Sequence, residues 1–189
     1  MFKTQLFIFL SAFILFFASC AGNSKKETAD AKSSGDYANG YIVKVGDYAP
    51  DFLTHTLTGD QFQLAALRED VVMLQFTASW CSVCREEMPA IESEIWQKYK
   101  HNHCFSLYAV DLKETREKIN SFIDDTKITY PVLLDPDGKI FGLYAEEGAG
   151  VTRNVIINKE GKIAMLTRLY DREEFGKMIQ CIDSLLRMR

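Results

Sequence analysis

No apolar run in this sequence is long enough to cross a bilayer comfortably. The longest, Leu6 to Phe17, has twelve residues, against about 20 for a spanning helix. No block of like charge appears, and a net charge of −4 excludes the basic footprint of a nucleic-acid-binding protein. Histidine is scarce, with three residues, and no set of ligands has the spacing of a zinc site.

What is present is concentrated around one stretch. Val71-Val72-Met73-Leu74-Gln75-Phe76 is nearly all apolar and rich in β-formers, the pattern of a strand covered on both faces. From Ser82 to Tyr99 the apolar residues Val83, Met88, Ile91, Ile95 and Tyr99 recur at helical spacing. Between the two lie Trp80-Cys81-Ser82-Val83-Cys84, so a strand delivers a CxxC pair to the start of a helix. The first turn of a helix offers unpaired N–H groups and the positive end of its dipole, both of which favour a thiolate. Spacing i, i+3 puts Cys81 and Cys84 on one side of the helix, with Cys81 further out to attack and Cys84 to resolve.

Trp80-Cys81-Ser82-Val83-Cys84-Arg85 with Glu87 and Pro89 resembles the WCxxC[KR]xExP signature of the TlpA/ResA group of thioredoxin-like thiol-disulfide oxidoreductases. The likeness extends to the lead-in Val45-Gly46-Asp47-Tyr48-Ala49-Pro50-Asp51-Phe52, to Tyr130-Pro131-Val132-Leu133-Leu134-Asp135, and to Gly150-Val151 through Lys162. The resemblance implies an α/β thioredoxin-like fold: a central mixed sheet flanked by helices, with an N-terminal β-hairpin and an extra inserted helix. It also implies an envelope reductase that needs no cofactor. Electrons would come from a membrane donor, and the clients would be disulfide-bearing envelope proteins, apocytochromes c among the candidates.

Two residues in the resembling stretches carry further expectations. Glu87 lies three residues after Cys84 and so on the same helical side, whereas Glu86 is rotated roughly 200° away. Glu87 matches the family's Glu and is expected to move the proton to and from Cys84. A buried acid would have a raised pKa suited to that exchange. In thioredoxin a buried acid sits six residues before the first cysteine; here that place is Gln75. The second residue is a departure. The family pattern GVPxxFLID carries a cis-proline facing the CxxC, but the same stretch reads Gly150-Val151-Thr152-Arg153-Asn154-Val155-Ile156-Ile157-Asn158. Thr152 stands in the proline position, so this loop is expected to be trans or strained and to dock clients differently. Trp80, Val151 and Thr152 are the expected substrate-binding residues, and Arg153 is read as a solvated surface side chain.

Residues 1–19 read as a lipoprotein-type signal peptide: Lys3, then the apolar run, then Ala18-Ser19 before Cys20. By resemblance to bacterial lipoproteins, Cys20 becomes the lipid attachment site. Residues 20–40 are small and polar, hence a flexible tether, and residues 41–189 form the domain. The expected location is therefore the periplasm-facing envelope, with the chain held to a membrane by its lipid.

In chain order, Phe52 to Thr58 and Gln61 to Leu64 predict a hairpin, Cys104 to Val110 a strand parallel to the first, and residues 113–126 an amphipathic helix built on Ile119, Phe122 and Ile123. Pro131 to Leu134 predicts a strand, Ile140 to Tyr144 a helical turn, and Val155–Ile157 with Lys162–Arg168 a hairpin. A final helix is capped by Asp171. Cys104 and Cys181 are read as buried thiols. Asp111 should end its strand at the ligand-binding edge. His101 and His103 fall at the opposite end of the sheet, and His55 is assigned no role. The same residues would also serve a disulfide oxidase or isomerase. A copper-binding thioredoxin-fold chaperone would need a third ligand. A peroxidase would need Thr or Ser where Ala78 stands.

Overall fold

The computed structural model describes residues 38–188. The signal peptide, Cys20 and nearly all of the tether lie outside the described residues.

The strand predicted from its apolar run is β3 (Val71–Thr77), and all seven of its residues are buried. A strand with both faces apolar belongs in the middle of a sheet with layers on each side. The order of the main sheet is β5-β4-β3-β6-β7. β4 (Phe105–Leu112) runs parallel to β3, from Val71↔Phe105 to Thr77↔Asp111, and β5 (Val132–Asp135) runs parallel to β4. β6 (Arg153–Ile157) pairs antiparallel with β3, and β7 (Ile163–Arg168) antiparallel with β6. The carboxyl end of β3 and the amino end of β6 therefore meet at one edge of the sheet. A separate hairpin of β1 (Leu53–His55) and β2 (Gln61–Gln63) is attached to β5 through Leu57 N–H to Val132 O at 2.8 Å and Thr54 Oγ1 to Leu134 O at 2.6 Å.

The connections β3–β4 and β4–β5 cross the sheet in the same direction. Right-handed crossovers then place their helices, α1 (Ser82–Ala90) and α3 (Arg116–Thr126), on one face. The helical run from Ser82 is not uniform. Pro89 supplies no N–H, and α1 passes into a π-helical segment, Ile91–Trp96, before closing with α2 (Gln97–Tyr99). The Ser93 hydroxyl donates back to Pro89 O at 2.9 Å. α4 (Arg172–Arg187) joins the same layer: Tyr99 donates to Asp183 at 2.6 Å, and Arg172 pairs with Glu94 at 2.7 Å. As predicted, Asp171 caps α4 by accepting from Glu174 N at 2.8 Å. The opposite face is aromatic, with Phe76 packed against Phe141 and Tyr144. Strand alternation thus turns Gln75 and Thr77 toward α1 and Phe76 away from it.

Several boundaries moved. α3 starts at Arg116, after Lys113 takes a left-handed φ of 59°. The helical turn near Ile140 is a short 3₁₀ turn, Phe141–Leu143. Cys104 is exposed rather than buried, because β4 begins one residue later and Cys104 sits in the turn before it; Cys181 is half-buried on α4. Arg153 is 1% exposed, not solvated. Its side chain donates to Gly150 O at 2.8 Å and Asn39 O at 2.7 Å and lies over the Tyr41 ring.

Candidate active site

β3 ends in the turn Ala78-Ser79-Trp80, which is held from three sides. Cys81 N–H donates to Ala78 O, Glu114 accepts from both the N–H (2.5 Å) and the hydroxyl (2.6 Å) of Ser79, and Arg85 Nε donates to Ser79 O at 3.0 Å. That turn sets Cys81 as the N-cap of α1, with an extended backbone, and its sulfur accepts from Cys84 N–H at 3.2 Å. An N-cap side chain takes one of the orphan donors of the first turn. Here the acceptor is a sulfur, and a thiolate fills that role better than a thiol. Cys81 is partly exposed, whereas Cys84 is completely buried. Burial pushes the Cys84 thiol up to about 12, and the adjoining Cys81 adds to the rise. One sulfur is thus accessible and served by a donor, and the other is sheltered and held protonated.

Thr152 reaches the pair from the β6 side. Its Oγ1 lies 2.9 Å from Cys81 Sγ and 3.0 Å from Cys84 Sγ, and the residue is wholly inaccessible. Its φ is 64°, a left-handed conformation that a β-branched residue rarely adopts. Two backbone bonds maintain it: Thr152 N–H to Phe76 O at 3.1 Å and Leu169 N–H to Thr152 O at 2.9 Å. A proline ring requires φ near −65° and has no N–H to give Phe76. Thr152→Pro, which would restore the familiar residue, is therefore expected to destabilise this protein by more than about 1 kcal/mol. A urea titration checks this, and an unchanged midpoint would mean that the loop has a second conformation of equal energy.

Glu87 is 2% exposed and lies one turn along α1 on the Cys84 side, as its spacing predicted. Glu86 is exposed. The Glu87 carboxylate accepts from Gln75 Nε2 at 3.2 Å and from Asn154 Nδ2 at 2.7 Å. Gln75 in turn accepts from the Tyr130 hydroxyl at 2.8 Å, and Asn154 also donates to Thr167 Oγ1 at 2.9 Å. Burial drives the Glu87 carboxyl up to about 7, although the two amide bonds pull against it. The position that holds a buried acid in thioredoxin thus carries an amide that grips an acid supplied by the helix. Asn154, Tyr130 and Thr167 were not singled out from the sequence. Asn154 had a readable signal: a polar residue in an apolar strand, two positions after Thr152 and so on the same face.

Asp111 also lies at this end of the sheet, opposite Thr77. Among the described residues neither of its buried oxygens has a hydrogen-bond partner, and burial together with the charges of Glu114 and Asp135 raises it to about 7. Trp80, 64% exposed, stands at an open cleft whose floor includes Phe141 and Ala145. Val151 is 3% exposed, so of the three expected substrate-binding side chains only Trp80 projects into solvent. His101 and His103 precede β4, at the end of the sheet away from Cys81, and His55 is exposed. Among the described residues no cluster of three His, Cys, Asp or Glu side chains is arranged to hold a metal ion.

Residues 45–166 match the AhpC/TSA family. Thiol-disulfide oxidoreductase ResA of Bacillus anthracis is 32% identical over 130 residues, 68% of this chain and 72% of the relative. ResA of Geobacillus thermodenitrificans is 28% identical over 77% of this chain and 84% of its own length. Among solved structures, a Bacteroides thetaiotaomicron protein proposed to be a protein disulfide isomerase is 51% identical, with a TM-score of 0.77 over 80% of this chain and 96% of its own. A Chlorobium tepidum protein proposed to be thiol:disulfide interchange protein DsbE is 26% identical, with a TM-score of 0.65 over 76% of this chain and 99% of its own.

Proposed function

Since the chain belongs to the AhpC/TSA family and is a thiol-disulfide oxidoreductase of the ResA type, we propose that it reduces disulfides in other envelope proteins through the Cys81–Cys84 dithiol. The observation that carries this reading is the asymmetry of the pair, with an accessible N-cap sulfur at Cys81 and a buried thiol raised to about 12 at Cys84.

The Cys81 thiolate attacks one sulfur of the client disulfide. A Cys81–client bond forms, the client S–S bond breaks, and the departing client sulfur takes a proton from solvent. Cys84 then attacks Cys81 as its proton passes to Glu87, the Cys81–Cys84 bond forms, and the second client sulfur leaves and is protonated. The client gains two electrons and the protein pair loses two, to be restored by a dithiol donor at the membrane. Glu87, half-ionised near neutral pH and one turn from Cys84, suits both acceptance and return of the proton. Clients dock against the exposed Trp80, beside the accessible Cys81 sulfur, while Val151 and Thr152 back the site from within. The lipid on Cys20 and the tether to residue 40 hold the domain at a periplasm-facing membrane, and apocytochromes c are among the fitting clients.

The 51% identity to a protein proposed to be a disulfide isomerase favours a second reading, isomerase or oxidase, that uses the same residues. The reduction potential separates them. After equilibration in thiol–disulfide buffers and alkylation of free thiols, a reductase is expected at about −250 mV or lower, and an oxidase or isomerase at about −120 to −180 mV. Absence of a Cys81–Cys84 disulfide at every poise would end both readings.

A further inference from the structure

We propose that Thr152 is a further catalytic residue, whose hydroxyl donates to the Cys81 sulfur while accepting from the Cys84 thiol and so decides which cysteine is the nucleophile. The inference rests on the reading of Cys81 and Cys84 as the attacking and resolving pair.

A hydroxyl has one hydrogen to donate and lone pairs with which to accept. Thr152 Oγ1 lies at hydrogen-bond distance from both sulfurs, 2.9 Å and 3.0 Å, so at any moment its hydrogen serves only one of them. Cys84 is buried and holds its proton, and in the proposed arrangement that S–H donates to Oγ1, a contact whose 3.0 Å length allows either direction. The Thr152 hydrogen is then left for Cys81, whose sulfur already receives Cys84 N–H at 3.2 Å. Two donors converge on one sulfur from opposite sides, the helix and the β6 loop. Once Cys81 is tied up in the mixed disulfide it no longer needs the hydrogen. The same hydroxyl can then rotate to Cys84 as that thiol is deprotonated, so one group serves both halves of the exchange.

The backbone supports this assignment independently of the hydroxyl. A β-branched residue at a φ of 64° is strained, and glycine would fit the conformation without that strain. The residue actually present brings an oxygen to both sulfurs, in a loop that exposes none of its side chain to a client.

The test compares Thr152→Val, Thr152→Ser and Thr152→Gly in the full chain. Val matches Thr in shape without the hydroxyl, Ser keeps the hydroxyl, and Gly removes it while relieving the backbone, which provides a folded variant should Val fail to fold. The rate of iodoacetamide alkylation at Cys81 is followed against pH by tandem mass spectrometry, whose fragment ions separate it from Cys84 on the same tryptic peptide, and whose peptide masses separate it from Cys20, Cys104 and Cys181. One hydrogen bond to a thiolate corresponds to roughly a tenfold change in equilibrium. Val and Gly are therefore expected to shift the midpoint up by about one pH unit and to slow alkylation about tenfold below it, with Ser close to wild type. If the Val and Gly profiles coincide with wild type, or Ser is as slow as Val, the role of Thr152 is overturned while the Cys81 reading stands. If wild-type Cys81 reacts no faster than Cys84 at any pH, both are overturned.

Discussion

Cys81→Ser is expected to lower disulfide exchange by about three orders of magnitude or more, because a serine hydroxyl at the N-cap retains the hydrogen bonds but supplies no thiolate. Cys84→Ser should behave in the opposite way. Its first half-reaction proceeds, since Cys81 still caps α1 and still faces solvent, but nothing displaces the client from the mixed disulfide. The variant should therefore accumulate a covalent client adduct that dithiothreitol releases. Cys104 is exposed and Cys181 half-buried, so the adduct has to be mapped by peptide mass spectrometry. An adduct on Cys81 in Cys84→Ser, and none in Cys81→Ser, is the expected pair of results. Adducts on Cys84 in the Cys81→Ser variant would reverse the assigned roles.

Glu87→Gln should alter both stability and rate, and both effects depend on pH. The carboxyl is raised from an ordinary value of 4.5 to about 7 by burial, so between these values the folded protein binds the proton more tightly than the unfolded chain does. The stability that Glu87 contributes is complete below pH 4.5 and is lost as pH rises through 7. At about 1.4 kcal/mol for each pH unit separating the folded and unfolded values, the loss amounts to roughly 3 kcal/mol by pH 8. Glutamine cannot ionise, and the amides of Gln75 and Asn154 can turn to accept from it. The gap in unfolding free energy between Glu87→Gln and wild type is therefore expected to widen by roughly 2 to 3 kcal/mol between pH 4.5 and pH 8, in favour of the variant. Urea titrations at the two pH values measure it directly. Turnover should fall about a hundredfold near neutral pH as the proton acceptor for Cys84 is lost. Parallel stability curves would show that Glu87 titrates normally, and unchanged turnover would remove it from the proton path.

Different parts of the molecule carry these two effects. The proposed cysteine roles rest on a local feature: a strand ends, a turn forms, and the first residue of the pair caps a helix. Such features are legible along the chain because their partners lie within a few residues. β3 was readable from its nearly all-apolar run, the hairpin from the segments Phe52 to Thr58 and Gln61 to Leu64, and the α4 cap from Asp171 ahead of a helical repeat. Glu87 was readable too, since helix geometry alone puts it beside Cys84 and turns Glu86 outward.

What stayed hidden were contacts between distant segments. Cys104 looked buried as the first residue of an apolar strand, yet a one-residue shift in the start of β4 left it in an exposed turn. Arg153 looked like a surface charge, but strand alternation turned it under residues 39–41, where a carbonyl and an aromatic ring receive it.

The sequence by itself placed the redox pair at a helix start and an acid one turn beyond it, because helix and strand periodicities relate residues a few positions apart, and the likeness of its motifs to the TlpA/ResA group implied the thioredoxin-like fold. Only the tertiary structure decided that Gln75 and Asn154 would grip that acid and that the Thr152 hydroxyl would stand between the two sulfurs. Those partners come from β3, from its antiparallel neighbour β6 and from the residue just before β6. Their distance from the cysteines is set by the antiparallel register of β3 and β6, which no local pattern encodes.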